Sequence, residues 1–156
     1  MAPVGSRESL QAAIQAGADS IYFGVEQLNM RSHSANHFTI DDLREIAATC
    51  AEHGMKSYLT VNTIIYDEDV ELMHQIVDAA YEAKISAVIA SDVAVMTYCR
   101  KKGVEVHLST QLNISNAEAL EFYAQFADVV VLARELNMDQ VAYIHSQISK
   151  RNIVGP

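Results

Sequence analysis

The sequence predicts an α/β fold of the TIM-barrel-like (β/α) kind with parallel strands, incomplete at about six of the eight βα units that closure needs. Three observations carry that expectation. Short runs rich in Val, Ile, Tyr and Phe alternate with longer amphipathic stretches along the whole chain. The crossovers between those runs are too long for hairpins, so the strands pair in parallel through right-handed connections. Neither G-x-G-x-x-G nor a P-loop occurs, which places the barrel ahead of an open dinucleotide-binding sheet.

The elements follow in order. Residues 2–4 form a strand stub. Ala12, Ala13, Ile14 and Ala16 follow Leu10 with helical spacing and stop at Gly17, where glycine takes the left-handed turn a helix end favours. The run 19–24 (DSIYFG) is a strand, and a polar loop through His37 leads to a helix from Ile40 to Glu52. Thr39 precedes that helix, Asp41 and Asp42 sit in its first turn, where the dipole favours acids, and Gly54 closes it. Residues 57–62 (SYLTVN) are the next strand. The helix 67–84 puts Val70, Met73, Ile76, Val77, Ala80 and Tyr81 on one face, and 86–90 (SAVIA) reads as a buried strand. Helix 92–102 ends at Gly103, strand 104–109 (VEVHLS) follows, then helix 116–126, strand 128–133 (DVVVLA) and helix 137–150. A seventh strand is expected from 153 onward. No linker divides the chain, so residues 1–156 read as one domain, the N-terminal part of a larger barrel.

Half of the 156 residues are apolar, enough for a real core. Twenty acidic against eleven basic side chains give a net charge of -9, which disfavours binding nucleic acid by bulk charge. No apolar run approaches the roughly 18 residues of a membrane helix, and the first residues lack a signal pattern, so no membrane partner and a cytoplasmic location are expected. Cys50 and Cys99 lie inside helical patterns and read as reduced core residues; the six methionines read as core filler on helix faces.

In such a fold the chemistry sits at the C-terminal ends of the strands. The polar residues that follow the apolar runs there are Glu26, Asn29 and Arg31, then Thr60 and Asn62, then Ser91 and Asp92. Ser109, Thr110, Gln111 and Asn113 come next, and Arg134 and Glu135 last. Carboxylates, amides and two arginines around one mouth suit a polar small molecule, a peptide or a base edge. The same residue types are ordinary caps, and Asp92, Asn116 and Asn137 stand where N-caps belong. His33 and His37 lack a third ligand that would make a metal site. His107, between Val106 and Leu108, reads as a hydrogen-bonded barrel residue, and His53, His74 and His145 as surface. There is no G-x-S-x-G elbow, no H-E-x-x-H and no Cys with a credible His partner, so the catalytic residues are unassigned.

Several phrases taken together, APVGSRESLQAAIQAGADSIYFG, LNMRSHSANHFT, YLTVNT, HLSTQLNISN and VVLARELNMDQV, resemble the N-terminal half of the collagenase-like peptidase family U32, in the family's order. The resemblance implies a TIM-barrel-like domain whose remaining strands lie beyond Pro156, and a family signature with cysteines that also lies downstream. It points to Asn29, Arg31, Asn62, Gln111, Asn113, Arg134 and Glu135 as substrate-binding positions. The implied activity of the full-length protein is peptide-bond hydrolysis. The family's RNA-base and quinone-ring hydroxylases imply an alternative: oxygen-independent, prephenate-dependent hydroxylation of a tRNA or rRNA base. There an iron-sulfur cluster would be held by the downstream cysteines, with Arg31 and Arg134 as carboxylate or phosphate clamps. This segment by itself is expected to hold no cofactor. A third expectation is a catalytically silent barrel fragment, whose open parallel edge would be covered in a homodimer or a swapped assembly.

Overall fold

Five parallel strands lie side by side in the order in which the chain makes them: β1 (Ala2–Pro3), β2 (Ser20–Gly24), β3 (Lys56–Val61), β4 (Ala87–Ala90) and β5 (Val106–Leu108). The computed structural model describes residues 1–28 and 38–156. A doubly wound sheet would reverse its strand order partway across; this one never does. Right-handed crossovers that always step in the same direction put every connecting helix on the same side of the sheet. That is the TIM-barrel-like arrangement, and it leaves the other face of the sheet without helices.

The helices are α1 (Arg7–Gln15), α2 (Ile40–Glu52), α3 (Val70–Glu82), α4 (Val93–Lys102), α5 (Ala117–Tyr123) and α6 (Met138–Lys150). Ser6, Thr39 and Asn137 begin α1, α2 and α6 in reciprocal capping boxes with Ser9, Asp42 and Gln140. Asp92 and Asn116 cap α4 and α5, as their positions in the sequence suggest. Gly103 ends α4 at φ 78°, a backbone state that costs other residues a steric clash.

The core lies between sheet and helices. Ile21, Phe23, Leu59, Val61, Val88, Ala90, Val106 and Leu108 are each at most 1% exposed, alternating along their strands, and Leu43, Ile46, Met73, Ile76, Val95 and Met96 fill the helix side. Burial of each large member of that set stabilises the fold by about 1.5–3 kcal/mol. Cys50 and Cys99 are free thiols in the same layer, and burial pushes the Cys99 thiol up to about 12.

The run 128–133 is not a strand. Two isolated parallel bridges, Val129 to His107 and Leu132 to Ile114, replace the expected ladder. Its partner β5 stops at Leu108, because Ser109 caps a 3₁₀ turn over Thr110–Leu112, and Asp128 Oδ2 takes the Val106 N–H at 2.8 Å. β-branched residues thus lack a continuous edge to pair with. The helix expected over 67–84 is split into a 3₁₀ turn, Asp67–Asp69, and α3, and the helix expected over 116–126 ends at Tyr123. Met73 and Met96 do fill the core, but Met1 and Met138 are exposed. His74 is half-buried rather than superficial: its ring stacks on Tyr98 with centroids 3.9 Å apart. Among the described residues no helix is long and apolar enough to cross a membrane.

Candidate active site

The side chains that alternate with the core set point to the face without helices. Register places Gly24, Thr60, Ile89 and His107 in one row across β2 to β5, with Tyr22, Tyr58 and Ala87 in the row before it. A cavity of about 310 Å³ opens on this face, lined by residues that include Tyr22, Thr60, Asn62, His107, Ser109 and Thr110. None of its lining side chains is Asp, Glu, Lys or Arg. Hydroxyls, an amide, an imidazole and aromatic edges, with no Asp, Glu, Lys or Arg side chain among them, suit a polar ligand.

Several of these groups are fixed. Thr60 Oγ1 donates to the Phe23 carbonyl at 3.0 Å, joining β3 to β2. His107 Nε2 donates to Glu105 Oε1 at 2.7 Å, and the Tyr58 ring lies 5.2 Å from the imidazole, centroid to centroid. Beyond the strand ends, Ser91 Oγ and Ser109 Oγ both donate to Gln111 Oε1, at 2.9 and 3.3 Å, which laces the end of β4 to the end of β5.

Of the residues expected to bind substrate, Asn62 lines the cavity and Gln111 is hydrogen-bonded to a lining residue, Ser109. Asp92 is half-buried at the rim and has two structural tasks: Oδ1 accepts from Ala94 N at 2.8 Å, and Oδ2 accepts from Ile65 N at 3.0 Å. It caps α4 and pins the loop after β3. Asn113 is exposed and left-handed, at φ 47°, ending the 3₁₀ turn. Arg134 and Glu135 sit in an exposed turn after the Leu132 bridge, neither of them on the cavity wall. Asn29 and Arg31, with His33 and His37, lie outside the described residues. Glu26 is not on the cavity wall; its Oε1 accepts from Ile40 N at the start of α2 at 3.1 Å.

Tyr22 and His107 are polar cavity residues that the strand-end rule overlooks, because they lie within strands rather than after them. The available signal is period two: each stands between two apolar residues of a buried strand and so faces away from the helices.

The cysteines do not suit an iron-sulfur cluster. A ligand must be a thiolate, whereas burial holds Cys50 and Cys99 in the protonated form on the helix side of the sheet. Among the described residues no group of three or more His, Cys, Asp or Glu is placed to hold a metal ion.

Comparison with known proteins bears on the family and the fold. The model of peptidase family U32 matches residues 5–153. The chain is 70% identical over all of its 156 residues to a collagenase of Porphyromonas gingivalis, of which it covers 38%. It is 32% identical to the tRNA hydroxylation protein P1 of Bacillus subtilis, over 95% of this chain and 36% of that protein. The chain therefore spans little more than a third of the length of these relatives. A solved U32 peptidase superposes with a TM-score of 0.74 over 92% of this chain and 62% of the other, at 14% identity, which supports the fold.

Proposed function

The chain belongs to peptidase family U32, and from that membership we propose that the whole protein hydrolyses peptide bonds in unfolded, collagen-like polypeptide. The observation that carries this reading is the 70% identity, without a break in coverage, to a relative named collagenase. The cavity on the helix-free face supports it. Amide, hydroxyl and aromatic groups with no charged side chain among them match the N–H and C=O groups of an extended backbone better than they match phosphate. In this reading the segment supplies the wall on which substrate lies, with Asn62 and Gln111 as the polar contacts near its rim and Asn113, Arg134 and Glu135 further out.

Incubation of the intact protein with gelatin and with unfolded peptides, across added metals and reductants, tests the proposal. New amino termini are expected to appear in proportion to enzyme. Substrates left intact under every condition would remove it.

A second reading rests on the tRNA hydroxylation relative. In it the intact protein hydroxylates an RNA base with prephenate as co-substrate, an iron-sulfur cluster is held by cysteines outside this chain, and Arg31 and Arg134 clamp carboxylate or phosphate. The net charge of -9 weighs against it. Loss of one hydroxylated nucleoside in a deletion strain, with stoichiometric iron and sulfide in anaerobically purified protein, would put this reading first. An unchanged nucleoside profile would discard it.

A further inference from the structure

The geometry points to His107, held by Glu105, as the general base of the peptide-bond hydrolysis proposed above, and the assignment rests on that proposal. His107 occupies the middle of β5 on the cavity wall, with its side chain 15% exposed: open to a ligand, yet largely withdrawn from water. Glu105 precedes it by two residues and so lies on the same side of the strand, 2.7 Å away. A carboxylate that accepts from Nε2 fixes the tautomer, leaving the lone pair on Nδ1, and stabilises the imidazolium once that nitrogen takes a proton. Among the described residues Nδ1 has no hydrogen-bond partner, and the Tyr58 ring packs beside the imidazole, 5.2 Å between centroids.

Other candidates on the page are committed elsewhere. Both carboxylate oxygens of Asp92 accept backbone N–H groups, Cys50 and Cys99 are sealed on the helix side, and the Ser109 hydroxyl is tied to Gln111. The nucleophile is therefore water. Its oxygen bonds to the substrate carbonyl carbon while Nδ1 takes its proton, giving a tetrahedral oxyanion and an imidazolium. The C–N bond then breaks and the imidazolium returns the proton to the leaving nitrogen, so that one water is consumed and a carboxylic acid and an amine are formed. Asn62 and Thr110, which line the same cavity, supply N–H and O–H donors for the oxyanion. The titratable groups around His107 are Glu105 just before β5, Tyr58 on β3 and Tyr22 on β2, with Met1 on the edge of the cavity.

The test compares His107→Asn and Glu105→Gln with wild type in the intact protein, reading kcat and KM on an unfolded peptide across pH. His107→Asn is expected to lower kcat by about 10²- to 10⁴-fold with little change in KM. Glu105→Gln, whose amide oxygen can still accept from Nε2 but carries no charge, is expected to keep KM and to lower kcat by about tenfold. A purely structural role for the pair would change stability and leave the kcat of the folded variant at the wild-type value. Folded His107→Asn with wild-type kcat would overturn the assignment while the hydrolase proposal stands; a wild-type protein inert on every peptide would remove both. Should His107→Asn fail to fold, Glu105→Gln decides: a lowered kcat at unchanged KM supports the assignment and a wild-type kcat sinks it.

Discussion

The two faces of the sheet are built from the same strands and carry different chemistry. Toward the helices, Ile21, Phe23, Leu59, Val88 and Val106 are sealed from water. Toward the cavity, Tyr22, Asn62, Ile89 and His107 remain half-exposed. Crossover handedness is the cause: it places all connecting helices on one side, so one set of alternate positions must be apolar and the other is released from that demand. Stability and chemistry are thereby separated by a single residue step along each strand, so a change to one can be made without the other.

The strongest test of that separation pairs Leu59→Ala with Ile89→Ala. Leu59, fully buried among core side chains, is expected to cost about 3 kcal/mol in urea denaturation, and Ile89 on the cavity face clearly less. Equal costs would erase the distinction between the faces.

Asp92 stands where the faces meet, and Asp92→Ala is expected to cost about 2 kcal/mol because two backbone N–H groups lose their acceptor. Asp92→Ser, which can still cap α4 but cannot also reach Ile65, should recover about half of that. Full recovery would mean that the hold on the mouth loop contributes nothing.

Labelling sharpens the comparison further. In the folded chain Cys99 is expected to resist iodoacetamide at pH 8, whereas His107 on the open face should react with diethyl pyrocarbonate. Because burial raises the Cys99 thiol to about 12, its contribution to stability is complete below the ordinary 9.0 and is lost as pH rises toward the folded value. Cys99→Ala should flatten the alkaline limb of a stability-against-pH curve.

The smallest effect belongs to the outer helical surface, remote from both faces. The Thr39 backbone N–H outweighs burial and, with the Thr39 hydroxyl and Arg7, holds the Asp42 carboxyl below its ordinary 3.8. Its stabilisation is therefore present above that value and is lost as pH falls through the folded one. Asp42→Asn should reduce the acid slope of thermal stability, and Arg7→Ala should change it little, since the Arg7 side chain is 60% exposed in both of its ion pairs.

Much of this was legible in the residues. The caps at Thr39, Asp92, Asn116 and Asn137, the glycine stops and the order of strands and helices follow from local preferences acting within a few residues. Residues 128–133 were misleading because pairing depends on a partner: three consecutive valines favour an extended chain, but only β5 could supply the ladder, and it stops early. The strand-end rule found Asn62 and Ser109 but also returned Asp92, whose polarity serves the backbone. A cap and a ligand contact call for the same residue types, so sequence position does not separate them.

By itself, the sequence determined the parallel α/β class, the composition of the core and the capped starts of α2, α4, α5 and α6, since periodicity and capping are local. Tertiary structure decided which polar residues share a cavity. The spacing of Glu105 and His107 is local, but the placement of Tyr58 beside His107 depends on strand register, which is set by packing between residues far apart in the chain.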